Sequence, residues 1–169
     1  MTGFERNADV VHQCTYAPLF AHVQGWQWRP DLIWFDNLRS VKSANYYVQQ
    51  LYGMNVGTHV LPTLENKIAL TGQDGLYASS VVDKNKNEII LKIVNASTEK
   101  RTVNYVLNGL KPAERKVIHT LLISGNQDAE NTLDNPNAII PTENELKISG
   151  NTLQTELAPQ SFHVYRIKL

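Results

Sequence analysis

The rhythm of hydrophobic and polar positions changes near residue 58. From there to residue 169, apolar residues recur at every second position in strand-length pieces divided by turn chemistry. The pieces are LYASSVVD, EIILKIVNAS, RTVNYVLNG, ERKVIHTLLIS, ELKISGNTLQTEL and SFHVYRIKL. DKNKNE joins the first two as a hairpin, SGN at 149–151 makes a second tight turn, and NGLKPAE separates two more strands. Val103, Tyr105 and Leu107 fall on one face. In the last piece Phe162 and Val164 share a face, while Tyr165, Ile167 and Leu169 take the other. Half-buried antiparallel strands of this length, with no helix between them, predict a mainly β protein whose residues 58–169 form an antiparallel β-sandwich.

Residues 1–57 follow another pattern. In NADVVHQCTYAPLFAHV, Asn7 reads as an N-cap, and Val10, Val11, Cys14 and Ala17 recur at helical spacing, which predicts a helix over 7–22 that Pro18 kinks or ends. DLIWFDN is a short apolar run with polar ends, suited to a strand buried on both faces as in a parallel sheet. SANYYVQQLYGMN predicts a second helix over 43–53, with Ser43 as N-cap, Tyr47, Val48, Leu51 and Tyr52 on one face, and Gly53 at the C-cap. The unit is helix–loop–strand–helix. A lone strand leaves its backbone groups unpaired, and closing an α/β barrel takes eight strands and about 250 residues. Residues 1–57 are therefore either an adornment of the sandwich or the tail of a larger body, in which case Met1 is an internal methionine.

Composition narrows the partners. The 169 residues are 42% hydrophobic and 19% charged, enough for a sizeable core, and 16 basic residues balance 16 acidic ones. A neutral chain with scattered lysines and arginines gives no footprint for nucleic acid or for an anionic membrane surface. No basic segment followed by an apolar run marks a signal peptide, and no window reaches the length of a membrane span, so the compartment stays open. The single cysteine, Cys14, rules out an internal disulfide and is expected on a buried helix face. His12, two residues away, is poorly placed to share a metal or act as its base.

All three tryptophans, Trp26, Trp28 and Trp34, lie in GWQWRPDLIWFDNLRS at 25–40. Around them, MTGFERNADVV, YAPLFAHVQGWQWRPDLIWFDN and NYYVQQLYGMNVG, followed by GNQDAENTLDNPNAIIP and LAPQSFHVYRI, resemble the C-terminal end of α-L-arabinofuranosidases of glycoside hydrolase family 51. The resemblance runs over essentially the whole chain. It implies a (β/α)8 barrel that carries the active site, of which residues 1–57 are the last helix–strand–helix with DLIWFDN as the eighth strand. It also implies that residues 58–169 are a sandwich of jelly-roll type. The substrate implied is an arabinose-containing polysaccharide or oligosaccharide, met through the complete enzyme. Such retaining enzymes work with two carboxylates about 5 Å apart, and the resemblance places both glutamates upstream. Residues 1–57 contain one glutamate, Glu5, expected at a helix start as a dipole partner. The chain alone is thus expected to be inactive, with no catalytic residue, metal or cofactor of its own. The other reading is a non-catalytic sandwich module that binds carbohydrate or mediates interaction.

Trp26, Trp28 and Asn37 are the candidate sugar contacts: indoles stack on the apolar face of a sugar ring, and Asn37 sits where the eighth strand meets the barrel mouth. Trp34 is expected to pack the core. Arg29 is expected to pair with Asp31 or Asp36. His59, His119 and His163 lack metal-ligand spacing, and Glu143 and Glu145 stand two apart in a stretch that reads as a solvated loop. Asp128, Glu130 and Asp134 lack a calcium-loop spacing. The bare aromatic segment 25–40 predicts a homo-oligomer, and residues 58–169 without 1–57 are expected to stand as a soluble monomer.

Overall fold

The computed structural model describes residues 1–169. In chain order its elements are α1 (Thr2–Arg6), β1 (Phe20–His22), β2 (Ile33–Phe35), β3 (Ser40–Lys42), α2 (Ala44–Met54), β4 (His59–Leu61), β5 (Leu64–Glu65) and β6 (Ile68–Ala69). A short 3-10 turn at Gln73–Gly75 precedes β7 (Leu76–Asp83), β8 (Glu88–Asn95), β9 (Arg101–Val106), β10 (Ala113–Ile123), β11 (Thr142–Gly150), β12 (Thr152–Leu157) and β13 (Ser161–Lys168).

Six strands pair in the order β11-β10-β13-β8-β7-β4, every neighbour antiparallel. Strand alternation gives this sheet two apolar faces. On one, Leu76, Ala78, Leu91, Ile93, Val117, Ile148, Tyr165 and Ile167 pack against Leu153 and Leu157 of β12 and Val103 and Tyr105 of β9. On the other, Val81, Ile90, Leu122, Phe162 and Val164 pack against Leu51 and Tyr52 of α2 and Ile139 of the 124–141 segment. β13 is central and buried on both faces, which explains its mixed apolar pattern. The β7–β8 hairpin turns through Asn87 at φ 55°, and the tight connection that carries the chain from β11 into β12, paired with β9 in a separate two-stranded sheet, turns through Gly150 at φ 91°; at both a left-handed backbone favours small or amide side chains.

Several expectations for residues 1–57 need correction. The helix predicted over 7–22 is absent; the first helix ends where that one should begin. Asn7 is its C-cap, with Nδ2 donating to the Gly3 carbonyl at 2.7 Å. Val10 and Val11, β-branched, and Pro18 all disfavour a helix beyond it, and residues 20–22 are recruited as β1. Cys14 is consequently exposed. DLIWFDN is not a lone strand: β1 runs parallel to β2 and β3 antiparallel to it. The helix at 44–54 is as expected, with Ser43 Oγ accepting from the Tyr46 amide at 3.2 Å.

Residues 1–57 and 58–169 also share a core, against the expectation that the latter would stand as a soluble monomer. α2 covers the second face of the sheet. From α1, Glu5 accepts from Lys92 Nζ and from Ser79 Oγ, both at 2.5 Å, and Arg6 donates to the Ala78 carbonyl at 2.8 Å. Lys92 is fully buried, so removing α1 would strand its ammonium without a counter-charge.

Candidate functional site

The 25–40 segment and the 124–141 segment meet in a cleft of about 400 Å³. Its floor comes from β2 and β3: Trp34 and Val41 are registered opposite each other and point to the same side. One wall is the loop after β1, carrying Val23, Trp26 and Arg29; the other is residues 130–134. Trp26 meets Trp34 edge-on at 5.9 Å between centroids. The Arg29 guanidinium carbon lies 5.0 Å from the Trp26 ring and 4.9 Å from the Trp34 ring, so the cation sits against two π-faces. Its Nη1 also approaches Glu130 at 3.7 Å, rather than the expected Asp31 or Asp36.

Asp36 instead caps the turn after β2. Its Oδ1 accepts from the Leu38 and Arg39 amides at 2.8 and 2.6 Å, and its Oδ2 from Arg39 Nε at 3.0 Å. Those backbone donors, with the Arg39 guanidinium behind them, hold the carboxyl below its ordinary range. Arg39 spans the cleft to Asp134 at 3.0 Å. The far wall is fixed by Asn131, which is buried: its Nδ2 donates to the carbonyls of Lys42 and Ile139, both at 2.9 Å, and its Oδ1 accepts from the Ile139 amide at 2.7 Å.

Of the predicted sugar contacts, Trp26 lines this cleft and is 46% exposed, whereas Trp28, 62% exposed, lies outside it. Asn37 is also exposed and outside it, in the turn after β2. Trp34 is half-buried. Asp128, Glu130 and Asp134 form no cation cage; Glu130 and Asp134 face the two arginines. Sequence reasoning missed Arg39 and the 130–134 wall, because partners 95 residues apart leave no local signal.

The remaining candidates are spent on the fold. Glu143 and Glu145 lie on β11, not in a loop, and Glu145 pairs with Lys116 at 2.6 Å. His119 and His163, treated separately in the sequence, stack at 5.2 Å with Nε2 of the first 3.0 Å from Nδ1 of the second. Ser161 Oγ donates to the Ala158 carbonyl and so accepts from His163 Nε2 at 2.8 Å, leaving Nδ1 to accept. Burial, and the neighbouring His119, push the His163 pKa down to about 4. His59 is a surface residue hydrogen-bonded to Thr58 at 3.0 Å.

Comparison with known proteins gives a consistent picture. The family model for the α-L-arabinofuranosidase C-terminal domain matches residues 1–161. Alpha-L-arabinofuranosidase 1 of Arabidopsis thaliana is 30% identical over 168 residues, covering 96% of this chain and 24% of the plant protein. An extracellular exo-α-L-arabinofuranosidase of Streptomyces chartreusis is 59% identical over 63 residues, 37% of this chain and 8% of that protein. Among solved structures, the arabinose-bound MgGH51 α-L-arabinofuranosidase superposes with a TM-score of 0.86 at 29% identity, over 99% of this chain and 26% of that one. The GH51 arabinofuranosidase of Xanthomonas axonopodis pv. citri shares the fold at a TM-score of 0.73 and 19% identity, covering 99% of this chain and 33% of that chain. The chain thus spans 24% of the plant relative's length.

Proposed function

The chain belongs to the α-L-arabinofuranosidase C-terminal domain family, and on that premise we propose that it serves, as the C-terminal portion of a family 51 enzyme, in releasing terminal α-L-arabinofuranosyl groups from plant polysaccharides. The observation that carries the reading is the likeness over 99% of the chain to an arabinose-bound enzyme of that family. The chemistry is retaining, with an acid/base and a nucleophile that both belong to the upstream part of the enzyme. Glu5 serves the fold, since Lys92 and Ser79 occupy its carboxylate.

Residues 1–57 are read as the closing part of a (β/α)8 barrel and residues 58–169 as a jelly-roll sandwich. Three features support the barrel assignment. β1 and β2 are parallel neighbours, an arrangement found almost only in sheets covered on both faces. Phe20, Ile33 and Phe35 share the face opposite Trp34, and Phe20 is exposed. Asp31 is 3% exposed with Oδ2 lacking any donor, a state that buried carboxylates rarely keep. Upstream strands and side chains would satisfy all three. Trp26, Trp28 and Asn37 are the residues proposed to meet sugar.

A chimera tests the reading. Residues 1–169 substituted for the matching quarter of the plant relative should keep turnover of 4-nitrophenyl α-L-arabinofuranoside, while the chain alone should give none above background. Robust turnover by the chain alone, lost on substituting Glu5 or Asp36, would overturn it.

A further inference from the structure

We infer that Lys84, in the β7–β8 turn, is a covalent modification site for small α-hydroxy aldehydes, with His59 of β4 as its proton carrier. The inference goes beyond the family reading and does not depend on it.

The two side chains are anchored on one hydroxyl just ahead of β4. Thr58 Oγ donates its single proton to the Val82 carbonyl at 2.9 Å and accepts from the Lys84 amide at 3.1 Å. His59 Nδ1 lies 3.0 Å from the same oxygen. That oxygen has no second proton to give, so Nδ1 is the donor, and the neutral ring carries its lone pair on Nε2. Nε2 faces Lys84 Nζ at 3.3 Å. The turn beneath is fixed as well: Asp83 Oδ1 accepts from the Asn85 and Lys86 amides at 3.0 and 3.3 Å. Both Lys84 and His59 are exposed, so a small solute reaches them.

No other lysine has such a neighbour. Lys86, Lys92, Lys100, Lys116, Lys147 and Lys168 are paired with carboxylates, which favour the ammonium form and so suppress attack by nitrogen. Lys42 lies over the Tyr46 ring. Lys67 and Lys111 are exposed and stand outside every ion pair. An imidazole, unlike a carboxylate, readily takes a proton and returns it near neutral pH.

The chemistry balances without an outside oxidant or reductant. His59 Nε2 takes a proton from the Lys84 ammonium, and the free amine adds to the aldehyde carbon, C1. The imidazolium returns that proton to the C1 hydroxyl, which leaves as water, and the nitrogen lone pair closes a protonated imine. Nε2 then removes the proton from C2. The released electron pair forms a C1–C2 double bond and the C=N pair returns to nitrogen. Delivery of the proton to C1, with the C2 hydroxyl proton passing to nitrogen, leaves a stable ketoamine on Lys84.

The test incubates the whole chain with glyceraldehyde. Ketoamine at each lysine is read by mass-spectrometric peptide mapping after borohydride reduction, and a parallel sample holds cyanoborohydride to trap the imine. Lys84 should gain ketoamine several-fold faster than Lys67 and Lys111. His59→Gln keeps an acceptor toward Lys84 but carries no proton. In that variant Lys84 should fall to the level of Lys67, with the melting temperature unchanged. The fall should be larger for ketoamine than for trapped imine, because the imidazole serves both stages of the former. Equal rates at Lys84, Lys67 and Lys111, a Lys84 rate unaltered by His59→Gln, or faster modification at a carboxylate-paired lysine would each overturn the inference.

Discussion

Lys92 and Glu5 are 87 positions apart and yet form one ion pair, with the ammonium fully buried beneath α1 and 5.4 Å from the Tyr52 ring. Burial pushes the Lys92 pKa down, and Glu5 opposes that shift. Glu5→Gln would leave the lysine without a counter-charge and should cost about 3–5 kcal/mol by urea denaturation, most of it recovered in the Glu5→Leu/Lys92→Met double variant. His163 gives a second prediction, in pH. Its folded pKa of about 4 lies below the ordinary 6.5, so the unfolded chain binds the proton more readily. Its stabilising contribution is complete above pH 6.5 and is lost as pH falls toward 4, amounting to about 3 kcal/mol across that window. His119, shifted down by burial as well, acts in the same direction. Denaturation midpoints of the parent and of His163→Phe, followed from pH 7.5 to 4, should converge on acidification; parallel curves would refute the assignment.

Among the elements, the chain leading into β4 passes at unusually close range over β7 at Gly57. A Cβ at Gly57 would fall 2.5 Å from the Val81 Cβ and 2.9 Å from the Val82 carbonyl. Gly57→Ala should therefore push β4 off the sheet edge and cost about 1–3 kcal/mol, with faster amide exchange at Val60 and Leu61 as the local signature. The long elements were legible in the sequence because each has its own period: LYASSVVD is β7 to the residue, EIILKIVN is β8, and Ser43 caps α2 as read. Strands of two or three residues, β1, β3, β4, β5 and β6, are too short to show a period and are not legible in the sequence. The helix predicted over 7–22 is absent because Pro18 and the β-branched valines outweigh the apolar spacing, and because Asn7, a residue suited to either end of a helix, closes α1 and does not open a second helix. Of the candidate site, the aromatic wall was visible as a cluster. The opposing wall was not, since only the fold brings 130–134 to β3.

For the molecule as a whole, the shared core sets what truncation does. Deleting residues 1–57 removes α2 from Val81, Ile90, Phe162 and Val164 and takes Glu5 from Lys92. The remaining 58–169 should bind an apolar dye and aggregate instead of running as a monomer in light scattering. The full chain keeps that face covered but leaves the β1 edge and Phe20 bare, so any self-association should run through β1. Phe20→Lys should shift a concentration-dependent dimer toward monomer.

The placement of β13 has a consequence for how the protein is made. It follows every other strand in sequence and yet sits between β10 and β8, making two of the sheet's three inner ladders. Until residues through Lys168 have left the ribosome, β8 and β10 lack their shared partner, and any β7–β8 or β10–β11 pairing formed before then has an open edge. During that interval nothing distinguishes the correct inserting strand from a strand of a neighbouring polypeptide except its tether. Slow decoding ahead of residue 161 would lengthen the exposure, and a holding chaperone on the exit tunnel would shorten its effect.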